Sequence, residues 1–122
     1  MKRTLVVVLL VCGLFFAGGS VSAHHSTVMY VQDSKTVTGK VVKFEWTNPH
    51  AHIYIETTDE KGDKVVWDCE MMSLNHLRSY GWTSKTVKVG EAISATGRYA
   101  RNGEPALIAN RVKLADGREI AS

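Results

Sequence analysis

The chain is poor in cysteine: two in 122 residues. One of them, Cys12, falls inside an N-terminal apolar stretch, so a processed form keeps Cys69 alone and has no internal disulfide to staple it. Proline is equally scarce, at two, which excludes polyproline segments and Pro-rich linkers. No apolar run reaches the roughly 20 residues of a comfortable transmembrane helix. Also missing are the G-x-S-x-G elbow, the phosphate-loop glycine pattern and a His-Glu-x-x-His helix, so the common hydrolase, nucleotide-binding and zinc-protease signatures do not apply.

What is present begins with Lys2 and Arg3, an apolar run from Leu5 to Ala17, and small residues up to Ala23. This is the form of a secretory signal peptide. Val21 and Ala23 occupy the two recognition positions, which places the cut after Ala23; a rival cut after Gly19 would leave four further residues. The expected organisation is therefore a signal peptide over 1–23, an N-terminal arm over 24–36 and one β-barrel domain over 37–122. Lys2 and Arg3 leave with the leader. The remaining Lys and Arg then nearly balance the 12 Asp and Glu, and charge gives no argument for nucleic acid or an anionic membrane. No transmembrane segment is expected in the mature form.

Along the mature chain, period-two alternation predicts a strand over Val37 to Trp46, with Val42, Phe44 and Trp46 on the buried face and Lys43 and Glu45 on the other. After Thr47, Asn48 and Pro49, a second strand runs from about His50 to Thr58. There Ala51, Ile53 and Ile55 face one way and His50, His52, Tyr54 and Glu56 the other. The "DEKGD" turn predicts a hairpin into a third strand, roughly Lys64 to Glu70. Ser73, Leu74, Leu77 and Gly81 predict a two-turn helix with a glycine cap, and Trp82 is placed to fold back on it. Two more strands follow, near Ala92 to Ala100 and Ala106 to Leu114. Five strands with a helix between the third and fourth predict an all-β protein with one short helix, a small OB-fold-like Greek-key barrel, with a rolled β-sandwich without barrel closure as the alternative.

Histidine is the residue type that carries chemistry. A cut after Ala23 gives His24 a free α-amine, and that amine with its own imidazole Nδ1 forms a chelate. A further imidazole would complete the nitrogen set of a histidine brace, the tetragonal coordination that Cu(II) prefers. His25 offers a rival mode through its imidazole, the amine and the intervening backbone nitrogen. His50 and His52 stand two apart on a strand, with Cβ atoms about 6 to 7 Å apart on one face, a spacing that suits a single metal. Cys69 with Met71 and Met72 invites comparison with blue-copper sites, but no Cys and His lie in the loop arrangement those need; the period-two pattern predicts a buried thiol instead. Asp68 and Glu70 share one face of strand three, with Glu56 approaching from strand two. His76 is read as exposed or capping.

The segments "HHST", "WTNPHAHIYI", "WDCE", "LRSYGW", "VKVGEAISATG" and "LADGRE" together resemble a family of short, secreted, functionally uncharacterised bacterial proteins. By that resemblance His24, His25, Asn48, His50, Trp67, Glu70, Gly81 and Trp82 match family motifs, while Thr27 and Cys69 depart from them. The resemblance implies a periplasmic setting and carries no activity. The expected function is binding, delivery or sensing of copper or a similar divalent metal, through His24 with His50, His52 or both, and with His25 as the rival ligand. The alternative is a metal-free interaction module that holds a peptide, glycan or envelope protein partner. A third, enzymatic reading would need an open metal position beside Glu70 or Glu56.

Overall fold

A computed structural model of the protein describes residues 29–122. The expected signal peptide and the His24–His25 pair lie outside the described residues. The elements are β1 (Tyr30–Glu45), β2 (His52–Thr58), β3 (Lys64–Glu70), helix α1 (Leu74–Ser79), β4 (Ala92–Ala100), β5 (Ala106–Lys113) and β6 (Glu119–Ala121). The protein is thus all-β with one short helix between the third and fourth strands, as expected. The short β6 is an addition that three residues of sequence could not announce.

Antiparallel pairing joins β3 to β2, β2 to β1, β1 to β4 and β4 to β5, and a parallel pairing of β3 with β5 closes the sheet into a ring. The closing contacts set Asp68 beside Ala106 and Glu70 beside Ile108. β6 continues along β5 beyond the closure, with Val112 opposite Ile120. Closure of this kind leaves few unpaired strand edges.

β1 differs from expectation in two ways. It begins at Tyr30 rather than Val37, because residues 30–36 pair with the far half of β4: Tyr30 with Ala100, Ser34 with Arg98 and Thr36 with Thr96. These residues are largely exposed, so the alternation that marks a half-buried strand is missing from the sequence there. The second difference is a β-bulge. Val41 lies opposite Ile55 and Lys43 opposite Tyr54, so Val42 is an inserted residue. Val41 is fully buried, and Val42, expected inside, is exposed. The insertion shifts the phase by one, which is why Phe44 and Trp46 still pack against the core.

Two glycines let the strands approach this closely. A Cβ on Gly39 would lie 2.1 Å from the Glu56 carbonyl oxygen, and one on Gly97 1.9 Å from that of Ile108. The core between the walls is built from Ala51 just before β2, Ile53 and Ile55 of β2, Cys69 of β3, Ile93 and Ala95 of β4, and Leu107, Ala109 and Val112 of β5. Leu74 and Leu77 join it from α1. The helix starts at Ser73, whose hydroxyl accepts from the His76 N–H, and ends at Gly81 with φ 93°. The Trp82 N–H donates to Leu77 O at 3.0 Å and the Gly81 N–H to Arg78 O at 3.0 Å, the paired bonds of a Schellman ending. Leu77 and Trp82 are both buried, and the Trp82 indole N–H donates to Ala121 O at 2.7 Å, which ties the end of the helix to β6.

Candidate functional site

The face of β2 that is turned away from the core carries His52, Tyr54 and Glu56, and the same alternation places His50 in the entering loop, just after the cis Asn48–Pro49 peptide. The matching face of β3 carries Asp68 and Glu70. In register His52 lies opposite Glu70, and Tyr54 opposite Asp68. The side chains bond one step off that register. His52 Nδ1 donates to Asp68 Oδ1 at 2.6 Å, and His50 Nδ1 donates to Glu70 Oε1. An ionised carboxylate can only accept, so in each ring Nδ1 carries the proton. In the neutral ring the lone pair is then on Nε2. Both sequence-predicted histidines are therefore held as oriented Nε2 donors.

The row continues along the sheet. The His52 and Tyr54 rings stack at 6.2 Å, the Tyr54 hydroxyl donates to Glu45 Oε2 at 3.1 Å, and Lys43 pairs with Glu45 while its Nζ stands 5.1 Å from the Tyr54 ring centre. Burial, then the charge of Asp68 and the bond to Glu45, push the Tyr54 phenol up to about 12. The hydrogen bond from Lys43 holds the Glu45 carboxyl below its usual range.

Other candidates are not drawn into this row. Glu56 pairs with Lys64 at 3.1 Å. His76 is exposed on α1, its Nδ1 3.1 Å from the Ser73 hydroxyl. Cys69 faces the core, fully buried, and burial followed by the charge of Asp68 pushes its thiol up to about 12. The thiol packs as a small hydrophobe and is not held as a thiolate. Among the described residues, no group of three or more His, Cys, Asp or Glu side chains is arranged to hold a metal ion. His24 and His25 lie outside the described residues.

Sequence reading missed the cleft beside His50. Its volume is about 630 Å³, and its lining includes Met29, Tyr30, His50, Glu70, Met72 and Glu104. The ring builds it. The β3–β5 closure supplies Glu70 and Ile108, and the start of β1 lies along the end of β4, where the Arg101 N–H donates to Met29 O at 2.8 Å. Burial raises the Tyr30 phenol above its ordinary value, and the Glu70, Asp68 and Glu104 carboxylates raise it further. Arg98 lines the same cleft. No local signal could have revealed the cleft, since its walls come from segments distant in sequence.

Fold and site together define a small closed-ring β protein that carries two histidine–carboxylate pairs, one of them at the lip of a cleft. The chain belongs to a family of unknown function (DUF6152), whose match spans residues 12–109. A search of curated proteins finds no significant match. No described helix is long and apolar enough to cross a membrane.

Proposed function

We propose that the protein is a periplasmic metal-binding protein that takes copper, or a similar divalent metal, through the amine and imidazole of His24 together with His50, His52 or both. It acts in binding, delivery or sensing rather than turnover. One observation carries this reading: the Nδ1 of His50 and that of His52 are each committed to a carboxylate, so that Nε2 is the available donor. Metal-ligating histidines are oriented by such carboxylates, which also raise their basicity as ligands. The reach of the chain is compatible with it. Met29 lines the same cleft as His50, and the five residues back to His24 span at most about 18 Å when extended.

The reading requires a secretory leader removed after Ala23, which frees the His24 amine. With one residue left before His24 its amine–imidazole chelate is lost, and the terminus can then bind only through the new amine, backbone nitrogens and an imidazole. The test is Cu(II) titration, read by electron paramagnetic resonance, of protein beginning at His24 and of protein with one residue added before it. The expected result is a changed spectrum for the extended form, whose donors would be the new amine, backbone nitrogens and an imidazole. Equal affinity and equal spectra would overturn the proposal.

The volume of the cleft favours one second reading, a metal-free module that holds a peptide, glycan or envelope protein partner. It expects the cleft, not the histidines, to control binding.

A further inference from the structure

The chain has four methionines. Apart from Met1, every one of them lines the cleft beside His50. Met71 is explained by packing, since it is buried in the core. Met29 is 55% exposed, and Met72, which packs against the core, is only half-buried and keeps part of its side chain open to the cleft. Their placement follows from the backbone. The Met71 N–H donates to Ala51 O at 2.8 Å, and the Ala51 N–H to Met72 O at 3.3 Å. These bonds carry the β2–β3 pairing past the ends of both strands, so His50 and Met72 flank the joined Ala51 and Met71 on adjacent chains. Met29 reaches the cleft from a third segment, fixed by the bond from Arg101.

We infer that this cleft is a copper(I) site, with the thioethers of Met29 and Met72 and the Nε2 of His50 as its ligands. Soft thioether donors select Cu(I) over the harder divalent ions, and one imidazole beside two thioethers is a donor set that suits it. Glu70 contributes twice: it holds the His50 ring by Nδ1, and with Glu104 it sets two carboxylates in the lining against the single guanidinium of Arg98. The metal enters as Cu(I), and no electron transfer is involved. The inference rests on the reading of His50 as a metal ligand but does not need the terminal amine of His24.

The test uses the processed protein under anaerobic, reducing conditions, with Cu(I) titrated against a chromophoric chelator. Silver(I), which mimics Cu(I) without redox chemistry, is followed on the methionine methyl resonances. The paired substitutions Met29→Leu and Met72→Leu keep apolar volume and are expected to weaken Cu(I) binding by roughly tenfold or more, with the Cu(II) resonance spectrum unchanged. In the unsubstituted protein Ag(I) is expected to shift the Met29 and Met72 methyls, a result that does not depend on the variant folding. Wild-type Cu(I) affinity in the double variant, or methyls unmoved by Ag(I), would overturn the inference. Its failure is distinguishable from failure of the brace. Identical Cu(II) spectra for the two termini remove the brace and leave the methyl shifts standing, whereas silent methyls with distinct Cu(II) spectra remove only the copper(I) site.

Discussion

His52 and Asp68 meet across the β2–β3 ladder with Nδ1 2.6 Å from Oδ1, although the register sets Asp68 opposite Tyr54. The bond is diagonal, and His50 repeats it with Glu70. Two imidazoles on one face are thus turned the same way by two carboxylates on the neighbouring strand.

Removing either carboxylate tests which histidine serves the metal. Asp68→Asn frees the His52 tautomer, and Glu70→Gln that of His50. The expected loss of Cu(II) affinity is about 10- to 100-fold for the partner of a true ligand. Fold stability should move little, since part-exposed pairs contribute about 0–1 kcal/mol. Competition titration of the two variants reads the difference, and a variant that binds as wild type excludes its histidine from the site.

Trp82 joins three parts of the structure: the helix ending, the core and β6. Trp82→Phe keeps an aromatic ring but loses the bond to Ala121 O, and is expected to cost about 2 kcal/mol. Trp82→Ala should cost about 3–5 kcal/mol. Urea unfolding checks both, as a lowered midpoint at unchanged slope.

Close strand approach makes Gly39 and Gly97 intolerant of even a methyl group. Alanine at either position would press on a backbone carbonyl, and a loss of about 1–3 kcal/mol is expected. Gly62, at φ 87° with open space around it, should lose only about 1–2 kcal/mol on the same change, from left-handed strain alone. Comparison of the three midpoints separates steric closure from turn geometry.

Alkaline pH should loosen the fold before it ionises Tyr54 or Cys69. The Tyr54 phenol is pushed from 10.0 to about 12 and the Cys69 thiol from 9.0 to about 12. The folded protein keeps protons that the unfolded chain releases above about 9 to 10, so the unfolded state binds fewer protons there. Stability therefore falls as pH rises through that window toward 12, and is complete below pH 9 as far as these two groups are concerned. Tyrosinate absorbance near 295 nm should show a late step that Tyr54→Phe removes, and Cys69 should resist a thiol reagent at pH 8 until denaturant is added. A thiol that reacts freely in the native state would contradict its placement.

Local chemistry made much of this fold legible. The alternation of Ala51, Ile53 and Ile55 against His50, His52 and Tyr54 marked β2 and its buried face, because side chains of a strand alternate whatever the strand pairs with. The Ser73, Leu74, Leu77, Gly81 and Trp82 pattern marked α1 and both of its ends, because capping bonds lie within a few residues of each other. For the same reason the sequence placed His50 and His52 on one face and Cys69 in the core.

Other features depended on partners far along the chain. Residues 30–36 became strand because β4 lies beside them, and polar residues exposed on both faces carry no period to read. Val42 turned outward because a bulge against β2 inserts one residue, and alternation cannot reveal an insertion. The parallel β3–β5 closure brought Glu70 beside Ile108, and the same ring set Met29, Met72 and His50 around one cleft. By itself the sequence determined the alternating strand segments, the helix with its caps and the faces of its histidines, through interactions of short range. Only the tertiary structure decided what those faces meet, because register and closure are set by whole strands packing on one another and not by any residue's neighbours in the chain.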